Sequence, residues 1–546
     1  MNYISLLWPK NETTYSSKTK NLSIATANDL DLDYLCKSIT KTKEESETVK
    51  EVFNCMCHEQ DVIRYRQEVF EDIYSSEKLR VSIEVIIKHL DQMKHMSRIS
   101  STPEEATLWK LFSRFKELDA YVDCVIAIGK ELQDMDIKSE GLMHLRDCMK
   151  SISEDEDFIA LSSTLKTLGM EINEIQSITL GVNLDTSLNP SEVTLVSVNK
   201  TKYIDIPWFS NLFNANSAYK SEVSAILSKV HIMSEDRRHP ILYNLYKDIE
   251  SLLKPVIKDL SAGLKRYAHI QVGFLFNLIP EMTFYLCCIR LFNRMKENGM
   301  PFCKPEIVKM EDRNCIIKNT YNINLALHMI KNDEKPAERI VLNDVIFDER
   351  GRIIIITGPN RGGKTVYTET AGLAQILFQA GIFVPGTYAL MSPVDSIFSH
   401  FPADENQTVE LGRLGEETKR LSQIFSDSTN HSLILLNESL ASTSYMESLH
   451  ISRDVIKALR YLGARAIFNT HMHELANYAD TINNEVQGES RVISFVTGLA
   501  EGKRSFKIQP GAPLGKSYAM DIAMKYGVSF EQIIDTIEKN RRNESP

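Results

Sequence analysis

The chain is 546 residues long, enough for roughly three or four domains with buried cores. Its 43% hydrophobic and 25% charged residues, with only 23 Gly and 17 Pro, exclude disordered, collagenous and low-complexity classes. The net charge of −10 argues against a non-specific nucleic-acid coat but leaves a local basic surface open.

Met1 to Lys20 is polar and lacks the apolar core of a secretory signal. Apolar residues at spacings of three and four predict helices over Glu44–Phe53, Asp61–Ile73, Lys78–Met93 and Pro103–Leu132. Ser101-Thr102-Pro103-Glu104-Glu105 reads as a helix start, with hydroxyl caps, proline in the first turn and acids at the positive dipole end. Cys55, Cys57 and His58 lack a second cluster to complete a metal site, and the nine scattered cysteines fit a reduced, cytoplasmic protein. Ser177 to Lys200, β-branched around an Asn-Pro turn, predicts a β-hairpin inserted among helices.

Helical patterns resume over Ser217–Met233 and Ile241–Met295, with Pro240, Pro255 and Pro280 starting or kinking helices. The most apolar stretch, His269 to Phe292, contains Gln271, Asn277, Pro280, Glu281 and Arg290, which reads as a buried amphipathic helix and not a membrane span. Near residue 305 the pattern changes. Strands are predicted at Arg339–Leu342 and Arg352–Thr357 around an Asp348–Gly351 turn, then at Ser432–Leu436, Ala464–Asn469 and Val492–Thr497. Helices at Lys364–Ala380, from Leu411 and from Ser444 lie between them. The expectation is a helical region over 1–305 with a small β insertion, then an α/β domain with a largely parallel sheet over 306–546.

Gly358-Pro359-Asn360-Arg361-Gly362-Gly363-Lys364-Thr365 completes G-x-x-x-x-G-K-[ST] after the run Ile353–Ile356. Glycines let backbone N–H groups curl around a phosphate, the next helix offers its positive end, Lys364 reaches the β/γ-phosphates and Thr365 ligates Mg²⁺. Such a loop needs a second strand ending in acids. Leu433 to Leu436 ends in Asn437-Glu438: Glu438 is the candidate base, while Asn437 keeps an acceptor oxygen for the metal but loses the charge. A third strand ends in Asn469-Thr470-His471, placing His471 where it could donate to a γ-phosphate.

These residues resemble the MutS family of DNA mismatch-repair ATPases. Ile356 to Thr365 resembles the family's ITGPNxGGKS/T, and Thr470-His471-Met472-His473-Glu474-Leu475 its THxxEL. Ala441-Ser442-Thr443-Ser444 stands where the family has G-T-S-T. Ile508-Gln509-Pro510-Gly511, Ser517 to Ala523 and Tyr526-Gly527-Val528 resemble its closing pattern. Upstream, Ile63 to Val69 resembles the core-domain helix that carries R-Q, here Arg66-Gln67.

The resemblance implies helical core, lever and clamp segments, an ABC-type P-loop ATPase domain using ATP and Mg²⁺, a dimer with composite sites, C-terminal dimerisation helices and DNA as partner. Nine Lys/Arg against six Asp/Glu between Ile206 and Ile270 are compatible with a backbone-contacting clamp or an ordinary solvated face.

Departures narrow the expectation. There is no room ahead of the core for the mismatch-reading and connector domains, and Phe115-Lys116-Glu117 and Phe347-Asp348-Glu349 only imitate the reader's F-x-E. Branched or distorted DNA is therefore expected over direct mismatch reading. Arg238-His239-Pro240 imitates a family motif far from its proper place. The position-matched segment is Lys318 to Asn322, followed by Val341 to Asp344, where Tyr321 could stack on adenine or serve packing. The partner-contact loop, Ala403-Asp404-Glu405 and Leu411 to Glu417, lacks the expected hydroxyl, and Arg361 adds a cation near the nucleotide. Two alternatives remain: an ATP-switched factor on a ribosome or similar machine, although the nuclease-like tail usual there is missing, and an ATP-binding scaffold with little turnover.

Overall fold

The computed structural model describes residues 3–10, 18–99, 107–173, 177–187, 190–201, 254–359, 362–402, 412–440, 444–500, 503–512, 527 and 529–543. The first part is helical: α1 (Leu32–Ile39), α2 (Lys43–Asn54), α3 (Gln60–Ser75), α4 (Glu77–Ile99), α5 (Thr107–Gln133), α6 (Glu140–Glu154) and α7 (Glu156–Asn173). On α3 the buried Val62, Ile63, Val69, Phe70 and Ile73 form one stripe, the three-and-four spacing read from sequence. Strands β1 (Ser177–Leu184) and β2 (Pro190–Asn199) form the expected antiparallel hairpin. The helix start at Ser101–Glu105, the Ser217–Met233 pattern, the first residues of the Ile241–Met295 pattern and the part of the Ile206–Ile270 basic stretch ahead of 254 lie outside the described residues.

The long pattern to Met295 resolves into α8 (Lys254–Lys265), a 3-10 turn at Val272–Leu275, and α9 (Leu278–Glu297). Pro255 and Pro280 sit in the first turns of α8 and α9, where a missing N–H costs no intrahelical bond. Val272–Glu297 is long and apolar enough to cross a membrane. Its Met282, Phe284, Tyr285, Cys288 and Phe292 are instead buried in the protein core. All nine cysteines are free thiols.

The α/β part contains two main sheets. A four-stranded sheet runs Glu306–Ile307, Tyr388–Met391, β3 (Cys315–Thr320) and β4 (Asn343–Phe347). The larger sheet has β5 (Ile353–Thr357), β6 (Ile397–His400), β7 (Leu433–Asn437), β8 (Arg465–Thr470), β9 (Val492–Ala500) and β10 (Lys503–Pro510), in the order β6-β7-β8-β5-β9-β10. Five strands are parallel, and only β10 runs antiparallel on its edge. Helices α10 (Lys364–Gln379), α11 (Gly412–Asp427), α12 (Tyr445–Leu462) and the terminal α13 (Phe530–Asn543) accompany them. The strand expected at Arg339–Leu342 is corrected. Pro336 opens a helical turn through Arg339, and the strand is β4, whose Val345 and Phe347 alternate into the core.

Alternation along the central strands divides the interior. Ile354, Ile356, Leu433, Leu435 and Ile467 join a core continuous with the helical region, while Ile353, Ile355, Ile434, Leu436 and Phe468 face a separate core under α12. Arg66 ties the halves together. It is 1% exposed, donates to Leu7 O at 2.9 Å and Gln379 O at 3.3 Å, and lies over the Trp8 ring. Gln67 reaches Pro305 O, and Gln379 returns a bond to Cys57 O. Gly381, at φ +76°, has no Cβ to collide with Arg66.

Candidate functional site

The carboxyl ends of β5, β7 and β8 lie side by side, and each bears one part of the candidate site. Parallel sheets bind ligands in that crevice. After β5 the chain turns through Gly358 (φ +143°) and Gly363 (φ +91°), conformations that favour glycine, and enters α10 at Lys364. Lys364 is 3% exposed and donates to Gly358 O at 2.9 Å and Pro359 O at 3.2 Å. Burial pushes its ammonium below the ordinary lysine range, against the opposing pull of Glu438. Asn360 and Arg361 fall outside the described residues.

At the end of β7, Thr365 Oγ1 donates to Asn437 Oδ1 at 3.1 Å. Asn469 Nδ2, on β8, donates to the same oxygen at 3.0 Å and to Thr368 Oγ1 at 2.7 Å. This amide-and-hydroxyl chain pins the start of α10 to two strands. Glu438 follows in a left-handed conformation, φ +49°, its N–H donating to Asn469 O. That backbone turns its carboxylate towards His471, whose Nε2 donates to Oε1 at 2.8 Å. This hydrogen bond holds the Glu438 carboxyl below the usual carboxylate range, so it is ionised at neutral pH. His473 stands half-buried nearby and is pushed below the ordinary histidine range by burial, then by Lys364 and His471.

A cavity of about 430 Å³ opens beside the loop, lined by Gly363, Lys364, Thr365 and Glu438 together with Leu325, Met329 and Ile340. Tyr321 lines it but is 3% exposed and sets its ring edge-on to Phe302, with 6.0 Å between centroids. Asn322 caps the helix Ile323–Lys331 and donates to Glu369 on α10 at 2.9 Å.

Sequence reasoning missed Phe506. It sits on β10 at φ +54°, 46% exposed, at the cavity wall across from Gly363. Asn343 holds it there, donating to Phe506 O and accepting from Ile508 N. No local pattern marks it, because its orientation follows from the positive φ and from Asn343, distant in sequence.

Ser444 caps α12, accepting from Glu447 N, whereas Ala441–Thr443, Ala403–Leu411 and the closing run at 513–526 lie outside the described residues.

Together these features define a mainly helical region joined to a parallel α/β domain, with a glycine loop, a buried lysine and a His–Glu pair at its carboxyl edge. Comparison with known proteins places that combination. The family model "MutS domain V" matches residues 354–543 and "MutS2 N-terminal domain" matches 58–298. The DNA mismatch repair protein MutS of Clostridium kluyveri is 24% identical over 540 residues, covering 92% of this chain and 57% of that protein. Its counterpart from Chlorobium phaeobacteroides is 31% identical over 248 residues, 45% of this chain and 27% of the relative. That from Lachnoclostridium phytofermentans is 23% identical over 474 residues, 83% and 46% respectively. The chain belongs to the MutS family. It spans about half the length of the curated relatives that it matches along most of its own length.

Proposed function

We propose that this chain is a cytoplasmic ATPase that uses nucleotide state to control a helical clamp on branched or distorted DNA, acting as a homodimer. The observation that carries the ATPase reading is the convergence of Lys364–Thr365, Asn437–Glu438 and His471 at three adjacent strand tips beside one cavity. Loop N–H groups and the positive end of α10 take the phosphates, and Lys364 exchanges the carbonyls of Gly358 and Pro359 for phosphate oxygens. The purine lies towards Ile340, with Phe506 as a stacking face and Tyr321 as wall.

The residues present fit Mg²⁺. Thr365 gives its proton to Asn437 and so keeps lone pairs for a cation, while the neutral Asn437 stands behind it as a weak partner. Bound there with the nucleotide, Mg²⁺ would offset phosphate charge. Glu438 accepts the proton of the attacking water as its oxygen bonds to the γ-phosphorus and the bridging oxygen leaves with ADP. His471, hydrogen-bonded to Glu438, keeps that carboxylate ionised and aimed.

A second reading, which the resemblance to the MutS family leaves open, is an ATP-switched factor acting on a ribosome or another RNA–protein machine. Turnover by the purified chain, alone and with duplex, four-way-junction DNA or ribosomes at two salt concentrations, separates the readings. Junction stimulation that survives higher salt supports the clamp. Stimulation by ribosomes alone rejects it.

A further inference from the structure

Thr497 lies on β9, beside β5, at the point where the β9–β10 register shifts. It is 4% exposed, and its hydroxyl has no hydrogen-bond partner among the described residues. A buried hydroxyl without a partner is costly, and in a native fold it calls for an explanation. Its position offers one. The side chain nearest to the place a Cβ would occupy on Gly358 is Thr497, and a Cβ on Gly362 would meet Thr497 Oγ1 at 3.2 Å. The first and fifth residues of the phosphate loop are both glycine where they close over this hydroxyl.

Among the described residues, two carbonyls of the loop are already occupied. Gly358 O accepts from Lys364, and Pro359 O accepts from Lys364 and from Gly362 N. A phosphate that draws Lys364 outwards strips Gly358 O of an ammonium donor in a buried place. The hydroxyl touching that glycine is the unspent donor of Thr497.

We infer that Thr497 is a positioning residue for the phosphate loop, donating its hydroxyl to the loop backbone in the nucleotide-bound state and left unpaired in the free state. This rests on the ATP reading above. It makes the nucleotide-free protein carry a penalty that nucleotide binding relieves, so the hydroxyl contributes to affinity without touching the ligand.

The test compares the 546-residue chain with its Thr497→Val, Thr497→Ser, Thr497→Ala and Lys364→Ala variants. Melting temperature is measured with and without Mg²⁺ and a non-hydrolysable ATP analogue, together with analogue affinity and the KM and kcat of turnover. Thr497→Val should melt at or above wild type when free, bind the analogue roughly tenfold more weakly, and raise KM with kcat little changed. Thr497→Ser should keep affinity within about twofold of wild type, whereas Thr497→Ala, differing from it only by the hydroxyl, should not. If Thr497→Val does not fold, the Ser–Ala pair makes the same comparison. Equal affinity in Ser and Ala variants overturns the inference and leaves the ATP reading standing. No analogue binding by wild type, or unchanged binding by Lys364→Ala, overturns both.

Discussion

The joint around α3 and α9 and the carboxyl edge of the α/β sheet use their buried polar groups differently. Around α3 and α9, Tyr65 is spent on Ser5 O, Tyr285 on Leu6 O, Glu281 on Ser5 and Leu6, and Arg66 on two carbonyls, while Arg290 Nε has no partner among the described residues. At the sheet edge, Thr357, Thr497 and Asn469 Oδ1 are buried with no partner among the described residues, and Glu438, Leu440 and Phe506 take left-handed backbone. Unpartnered buried atoms occur elsewhere too, at His58 Nδ1 and Arg290 Nε among others, but those at the sheet edge lie where a ligand would discharge them. One region is built to hold its shape, the other to change partners.

The sharpest way to break that contrast is Glu438→Gln. It preserves shape but removes the proton acceptor, so turnover should fall by roughly 10²–10⁴ while nucleotide-analogue binding persists. Single-turnover hydrolysis measures it, and an unchanged rate removes Glu438 as base. Arg66→Ala attacks the fixed side. It leaves Leu7 O and Gln379 O short of a donor and opens a hole beside Trp8, costing about 2–4 kcal/mol by urea unfolding. A loss below about 0.5 kcal/mol would show that the joint is not fixed through Arg66.

Glu369 sharpens the comparison through pH. Burial on α10 pushes its carboxyl up to about 7, despite the Asn322 hydrogen bond. The unfolded chain ionises this group first, so between about 4.5 and 7 the folded state holds more protons and stability falls as pH rises. Glu369→Gln should therefore be neutral near pH 4 and stabilising by about 1–3 kcal/mol above pH 8. A difference from wild type that does not vary with pH contradicts this. The smallest expected effect is that of Asn437→Asp. A restored charge should lower the Mg²⁺ needed for half-maximal turnover by roughly threefold to tenfold. An unchanged Mg²⁺ titration takes Asn437 out of the site.

Periodicity and turn residues made most elements legible. The stripe on α3, the hairpin β1–β2 and the β5–loop–α10 unit follow from spacing and glycine placement alone. The Arg339–Leu342 error arose because apolar content was read without the Pro336 helix start, which moves the strand to β4. Lys364, Thr365, Asn437, Glu438 and His471 were readable because each follows a short apolar run at a strand end. Phe506 and Thr497 were not. One depends on Asn343 gripping a strand some 160 residues away, and the other on β9 pairing beside β5. Both are products of tertiary pairing that no local pattern encodes.

The cavity beside Lys364 is the proposed nucleotide site. Equilibrium binding of a fluorescent ATP analogue to the wild-type chain and to Lys364→Ala tests it most directly. Saturable, Mg²⁺-dependent binding that ATP competes away, and that Lys364→Ala loses by at least about a hundredfold, is the predicted result. Equal binding by both proteins, or none by wild type, would contradict it.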